Sequence, residues 1–230
     1  IDHGVIGRVS GFFCRYDVAN EADGNRPWSW RMSRAQSGTG SNGDVLSHVI
    51  SVAHFLTNSS ISRVVGDYTI VHKERADSQA AGQTKIVDND DMVAALIHFE
   101  NGVKGHIGAS RVTWGRKCGL RWELHGTEGT IMYDQERLNE LKLFTRQDNP
   151  ATDGFRTILT GPLHEPYAAF LPNGGHSLGY MDVKICELHD LLSAIETNSQ
   201  VWPSFSDGLK IERVMDAVDR SAQTNKWVDV

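Results

Sequence analysis

Three clusters in this 230-residue chain carry residue types that do chemistry. The first is S-G-T-G-S-N-G-D-V-L-S-H, Ser37 to His48. Gly38, Gly40 and Gly43 spell G-x-G-x-x-G, the spacing of a loop that cradles a pyrophosphate. Asp44 and His48 follow at i and i+4, which on a helix places both side chains on one face. A carboxylate beside an imidazole orients it and steadies its cationic form, so His48 could serve as a general base near neutral pH. The plainer alternative is that Asp44 caps a helix and His48 is a satisfied core histidine. The second cluster is P-W-S-W-R, with Trp28, Trp30 and Arg31. These are either packing or a wall for a sugar-like ring with a cation beside it. The third is G-G-H-S-L-G-Y-M-D, residues 174–182, where glycines flank His176 and Tyr180 ahead of a helix. It reads as a turn and a helix start, or as a loop presenting both side chains to a polar ligand.

Several chemistries lack their patterns. A dinucleotide loop needs a buried parallel strand before it and an acid about 20 residues on. Asp67 mimics the acid, but W-S-W-R-M-S-R-A-Q-S is too polar for the strand. The glycines therefore read as a flexible approach to a helix. A metal site drawn from Asp44, His48, His54 and His176 lacks any H-x-x-x-H or H-E-x-x-H pair, so no metal is expected. G-x-S-x-G is absent, which removes the usual serine hydrolase.

The elements that must position these clusters follow from periodicity. Residues 5–16 are rich in β-branched and aromatic types and read as a strand. A long polar, Gly/Ser-rich loop spans 17–43, and loops beyond about 15 residues are usually functional or disordered. Residues 44–57 form a largely buried helix with Val45, Val49, Val52 and Leu56 on one stripe. Strands follow at 63–72, 92–100, 102–112, 120–126, 130–134, 138–146 and 155–161. Asn101-Gly102 predicts a type I′ hairpin turn. Leu188, Leu191, Leu192 and Ile195 give residues 182–197 an amphipathic stripe. Residues 206–225 form a second late helix, starting at Ser206 with Asp207 in its first turn. K-W-V-D-V closes the chain as a short strand. Strands joined by hairpins and helices grouped apart from them predict an α+β fold built on an antiparallel sheet. No repeat or linker marks a second domain.

Composition is that of an ordinary globular protein, with 40% apolar and 23% charged residues. The formal net charge of −6 argues against a nucleic-acid partner. The acidic residues are scattered and read as solvated surface. Cys14, Cys118 and Cys186 are odd in number and far apart, which suits buried thiols in a reducing compartment. No apolar run approaches the ~18 residues of a membrane span. A cytoplasmic location is the expectation. Gly4 suits a helix C-cap, so Ile1–His3 read as the end of something longer, unless the chain is processed or tagged.

Together these pieces resemble the C-terminal domain of the Gfo/Idh/MocA dehydrogenases. The resemblance rests on G-V-I-G-R-V, P-W-S-W-R, G-D-V-L-S-H-V-I-S-V-A-H-F-L, H-G-T-E-G-T-I-M-Y-D with R-L-N-E-L-K-L-F, G-H-S-L-G-Y-M-D, and the tail from Asp207. Each is weak alone; their order and spacing are specific. The resemblance implies an open, predominantly antiparallel sheet with helices packed on one face. It implies a D-x-x-x-H helix, here Asp44 and His48, with His48 accepting the hydroxyl proton as hydride leaves for NAD or NADP. Trp30, Arg31, His176 and Tyr180 fall in segments that line the family's substrate pocket, suiting a sugar or polyol such as an inositol. The open sheet face implies a homo-oligomer. In the family an N-terminal Rossmann domain holds the cofactor and supplies a lysine from an E-K-P motif. Neither is part of these 230 residues, so this chain alone is expected to bind no cofactor and to be inactive. Many members carry an acid where Ser51 stands. The alternative is a binding or assembly module that has lost catalysis.

Overall fold

A computed structural model of the chain describes residues 1, 3–146 and 150–230. The principal sheet has nine strands. In chain order they are β1 (Val9–Asp17), β2 (Ile61–Thr69), β5 (Met92–Phe99), β6 (Lys104–Ser110), β7 (Gly119–Gly126), β8 (Gly129–Asp134), β9 (Glu140–Thr145), β10 (Arg156–Leu159) and β11 (Val228–Asp229). Their spatial order is β10-β9-β8-β7-β1-β6-β5-β2-β11. All neighbours are antiparallel except β1 and β6, which run parallel from Gly11↔Lys104 to Asp17↔Ser110. A parallel pair needs a crossover, and the chain between them contains the helices of the candidate site. The fold is α+β with an open, mostly antiparallel sheet, as the strand and helix pattern predicts.

The helices are α1 (Arg34–Ser37), α2 (Ser41–Asp44), α3 (Leu46–Thr57), α4 (Tyr180–Thr197) and α5 (Phe205–Thr224). Alternation along the central strands decides which sheet face they cover. Phe12 and Cys14 of β1, and Val93, Ala95, Ile97 and Phe99 of β5, point to the α3/α5 side and are buried. Phe12 and Phe99 meet edge to face at 6.1 Å. From the other side come Leu46, Val49, Ile50 and Ala53 of α3 and Val214, Ala217 and Val218 of α5, all buried. Ser221 of α5 ties helix to sheet: its Oγ accepts from Gly66 N–H (2.9 Å) and donates to Lys226 C=O (2.6 Å).

Four local features differ from the sequence expectation. The hairpin after β5 closes at Asn101-Gly102, but only Gly102 takes positive φ (86°). Phe99 C=O accepts from Gly102 N–H, so the turn is the three-residue form ending in a left-handed glycine, not type I′. The N-cap of α5 is Ser204, with Asp207 at N3 completing a capping box, two residues before the predicted start. A small hairpin, β3 (Glu74–Ala76) with β4 (Thr84–Ile86), occupies a stretch for which the periodicity predicts no element. The apolar stripe of α4 is not buried in this chain. Leu188, Leu191, Leu192 and Ile195 are each about half exposed or more, and only Ala194 of that helix is buried.

Candidate active site

The predicted helix of residues 44–57 begins earlier and is interrupted. α2 and α3 are separated by Val45, itself in the right-handed helical region. Asp44 does not cap anything: it is the last residue of α2, and the N-cap position is Gly40. The capping carboxylate comes from Asp90, 50 residues away and 3% exposed. Its Oδ1 accepts from Gly40 N–H (2.7 Å), and its Oδ2 accepts from Asn42 N–H (2.6 Å) and Ser41 Oγ (3.0 Å). The orphan amides at a helix start attract a carboxylate, which need not be local. Asp90 C=O also accepts from Ser41 N–H.

This arrangement settles the glycine motif. A Cβ on Gly40 would stand 1.8 Å from Asp90 O, so only glycine fits there. Gly38 has φ +76° with open space around it, so it is a turn residue. The amides of Gly40 and Asn42 are consumed by a buried anion. A pyrophosphate would find those amides already engaged and the Asp90 carboxylate in its place, so this loop does not fit a dinucleotide.

Asp90 belongs to D-N-D-D, residues 88–91, and its burial corrects the expectation of a solvated acidic surface. Asn89, Asp90 and Asp91 are each 3% exposed or less. Arg111, also buried, donates from Nε to Asp91 Oδ1 and from Nη2 to Asn89 Oδ1, both 2.8 Å. Arg111 Nη1 and Asn89 Nδ2 then both donate to Arg31 C=O (3.2 and 2.7 Å). The long loop is thus pinned by its backbone, with a 3₁₀ turn over Trp30–Met32 anchored by buried Met32.

That pinning presents Trp30 and Arg31 outward. The Arg31 guanidinium lies over the Trp30 ring at 4.9 Å, and its Nη1 is 3.7 Å from Asp44 Oδ2. Trp30, Arg31 and Asp44 line a cavity of about 650 Å³ together with Glu21, Arg26 and Arg111. Trp28 has a different job. Its indole donates to Ile86 C=O (2.9 Å) and stacks under Lys85, so it packs on the β3–β4 hairpin.

His48 is exposed, not a core histidine. It is one helical turn on from Asp44 and outside the cavity lining. Among the described residues, no group hydrogen-bonds to its ring nitrogens, and none links it to Asp44. Its ring packs edge-on against Tyr16 of β1 at 5.6 Å. Tyr16 Oη is 2.9 Å from Cys118 Sγ, which accepts from Gln135 Nε2 at 2.8 Å. Burial first, then the Cys118 contact, pushes the Tyr16 phenol up to about 12, so it stays protonated. Tyr16 escaped the sequence reading because an aromatic inside a strand looks like core. Ser51, half-buried, lines a different cavity with His54, Trp202 and Lys210. His54 is structural: its Nε2 accepts from Ile61 N–H (3.2 Å).

His176 and Tyr180 are both exposed and do not line the cavity of Asp44 and Arg31. They lie at the start of α4, which Asn139 fastens to the sheet by exchanging two hydrogen bonds with the Leu178 backbone (2.7 and 3.0 Å). His176 Nδ1 is 3.2 Å from Asn173 C=O. The described residues contain no group of three or more His, Cys, Asp or Glu placed to hold a metal ion. No helix among them is long and apolar enough to cross a membrane.

The cavity wall combines carboxylates, guanidinium donors and an indole face, and the exposed His48 imidazole lies one turn beyond Asp44. The family model of the GFO/IDH/MocA C-terminal domain matches residues 1–132. Levoglucosan dehydrogenase of Pseudarthrobacter phenanthrenivorans is 36% identical over 241 aligned positions, covering 100% of this chain and 62% of that protein. A solved levoglucosan dehydrogenase in complex with NADH and L-sorbose superposes with a TM-score of 0.94 at 37% identity, over 100% of this chain and 60% of that one. An NAD binding oxidoreductase from Klebsiella pneumoniae does so with a TM-score of 0.93 at 38% identity, again over 100% and 60%. The chain spans about three fifths of the length of these relatives. It belongs to the GFO/IDH/MocA family and corresponds to its C-terminal domain.

Proposed function

We propose that residues 1–230 form the substrate-binding and catalytic-helix domain of an NAD(P)-dependent dehydrogenase acting on a CH–OH group of a sugar or polyol. The observation that carries this reading is His48: an accessible imidazole with unengaged nitrogens, one turn from Asp44 at the rim of a polar cavity, in a chain of this family. The relatives' ligands, levoglucosan and L-sorbose, set the substrate class as a neutral, hydroxyl-rich ring compound. Inositols share that chemistry.

The cofactor, when bound, supplies the hydride acceptor. In our reading it is held by the part of the relatives that this chain does not span, since the Gly38–Gly43 loop does not fit a pyrophosphate. This chain does the rest. Trp30 offers an apolar face to the ring, and Arg31 donates to hydroxyl oxygens. His48 takes the hydroxyl proton at a ring nitrogen as the carbonyl forms. Asp44, one turn before His48 on the same outer face, is the acidic partner of the pair, and the Arg31 contact holds it in place. Tyr16, packed on the other edge of the ring, limits its rotation. His176 and Tyr180 act as further substrate contacts from the α4 start, with His176 Nε2 left for a ligand. The exposed sheet face around Leu96, Phe13 and His106 supports a homo-oligomer, and three unpaired cysteines support a cytoplasmic setting.

The test is turnover of the full-length enzyme carrying this chain, followed by reduced nicotinamide absorbance with levoglucosan, L-sorbose and an inositol. His48→Ala should lower kcat by roughly a hundredfold or more with the fold intact. A folded variant with undiminished kcat removes His48 from the mechanism.

A further inference from the structure

Helix α4 carries an apolar stripe that its own chain leaves bare. Met181, Ile185, Leu188, Leu192 and Ile195 follow one another at spacings of four, three, four and three residues, and each is more than half exposed. That is the seam spacing of two helices packed side by side. At 1.5 Å per residue the stripe runs about 21 Å along the helix. A helix gains most of its stability in a protein from covering such a face, yet Ala194 is the only buried residue of α4. The flanks of the stripe are acidic. Asp182, Glu187, Asp190 and Glu196 stand against one lysine, Lys184, which pairs with Glu187 at 2.6 Å. The bare surface continues beyond α4. In the link to α5, Trp202 stacks on Phe55 of α3 at 4.8 Å, and both rings are about half exposed or more. Phe55 follows His48 at i+7 along α3, so it shares the outer face of that histidine.

We propose that this stripe seats a helix of the cofactor-holding part of the full-length enzyme, and that the contact fixes the helix that begins at Tyr180, with His176 just ahead of it. The inference rests on the dehydrogenase reading, in which that part lies outside these 230 residues. Hydride transfer needs cofactor and substrate carbon in contact, so the cofactor-holding part must reach the outer face of α3 at His48. Phe55 and Trp202 continue that face toward α4. The relatives supply the length. They align over all of this chain, α4 included, and about two fifths of their own length lies beyond the alignment. A second copy has a different seat, the bare sheet face of Phe13 and Leu96, which points away from α3 and α5. The acidic flanks set the chemistry of the occupant: an apolar stripe of the same spacing, bordered by basic residues.

The test places p-benzoylphenylalanine at position 188 of the full-length enzyme, and in a second protein at position 195. Each is irradiated, and the cross-link is mapped by mass spectrometry. The expected adduct joins α4 to a helix outside residues 1–230, within one chain. Leu188→Asp combined with Leu192→Asp should loosen the contact about tenfold or more, since each leucine still has about half its surface to bury. Hydrogen exchange reads this as α4 amides exchanging about tenfold faster while α5 amides keep their rates. Sedimentation velocity should show the same subunit number as the parent. An adduct within residues 1–230 of a second copy, or a lower subunit number in the double variant, makes the stripe a subunit interface and overturns the assignment. Unchanged α4 exchange, or no adduct at either position, overturns it as well. These outcomes leave the substrate reading standing, because that reading is decided by turnover of the unsubstituted enzyme. No turnover of any sugar or polyol beside the expected adduct removes the substrate reading and keeps the contact.

Discussion

Replacing Asp90 by alanine tests what starts the helix that carries Asp44. The carboxylate accepts three hydrogen bonds, from Gly40 N–H, Ser41 Oγ and Asn42 N–H, at 2.6–3.0 Å in a buried setting. Bonds to a charged group contribute about 1.5–3 kcal/mol each, but these three share one anion. Its removal also relieves the cost of burying a charge. The balance is a destabilisation of about 3–5 kcal/mol, since three donors lose their acceptor at once and α2 must reorganise. For a chain of this size that lowers Tm by about 10 °C. Asp90→Asn keeps one acceptor oxygen and should fall between. The control is Asp44→Ala. That side chain is 62% exposed and, among the described residues, its ion pair is with Arg31, so its loss should cost no more than about 0.5 kcal/mol. Urea denaturation of the four proteins, followed by tryptophan fluorescence and far-UV circular dichroism, reads both numbers. Equal stabilities for Asp90→Ala and Asp44→Ala, or a larger loss for Asp44→Ala, would refute the claim that the cap arrives from residue 90.

Two further outcomes come from the same region and its neighbour. Gly40→Ala should cost about 3 kcal/mol or more, because its Cβ has no space beside Asp90 O, whereas Gly38→Ala, strained only by positive φ, should cost about 1 kcal/mol; equal costs in the denaturation assay would contradict the tight approach. His54 is held down to about 4, first by burial and then by Lys210, against 6.5 when free. The unfolded chain therefore binds more protons between those values, so this contribution is intact above pH 6.5 and is lost as pH falls toward 4, by at most about 3 kcal/mol. His54→Gln, which keeps an acceptor for Ile61 N–H, should flatten that part of the stability–pH curve; an unchanged slope would show that His54 is not its source.

How far the site was legible can be argued residue by residue. The Asp44–His48 spacing is a local fact, and helix geometry turns it into a shared outer face without help from the rest of the chain. Trp30 and Arg31 were legible as a possible wall for the same reason: an aromatic beside a guanidinium in a polar loop. Which tryptophan faced the cavity was not, because Trp28 turns away to reach Ile86 O, an acceptor on a strand 58 residues downstream. D-N-D-D looked like solvated charge because composition cannot show that buried amides and Arg111 await it. Glu21 and Tyr16 gave no pattern at all. One is a carboxylate among polar residues and the other an aromatic inside a strand.

By itself the sequence determined the α+β class, the hairpin order of the strands, the helices and the candidate pair, since these follow from periods of two and 3.6 residues and from short-range spacing. Only the tertiary structure decided that the Gly38–Gly43 loop holds a carboxylate in place of a phosphate, that the stripe of α4 stays uncovered in this chain, and that Glu21 joins Arg31 and Asp44 around one cavity. Those outcomes depend on which distant donors, acceptors and apolar surfaces meet when β1 and β6 pair in parallel, and a one-dimensional pattern holds no record of such meetings.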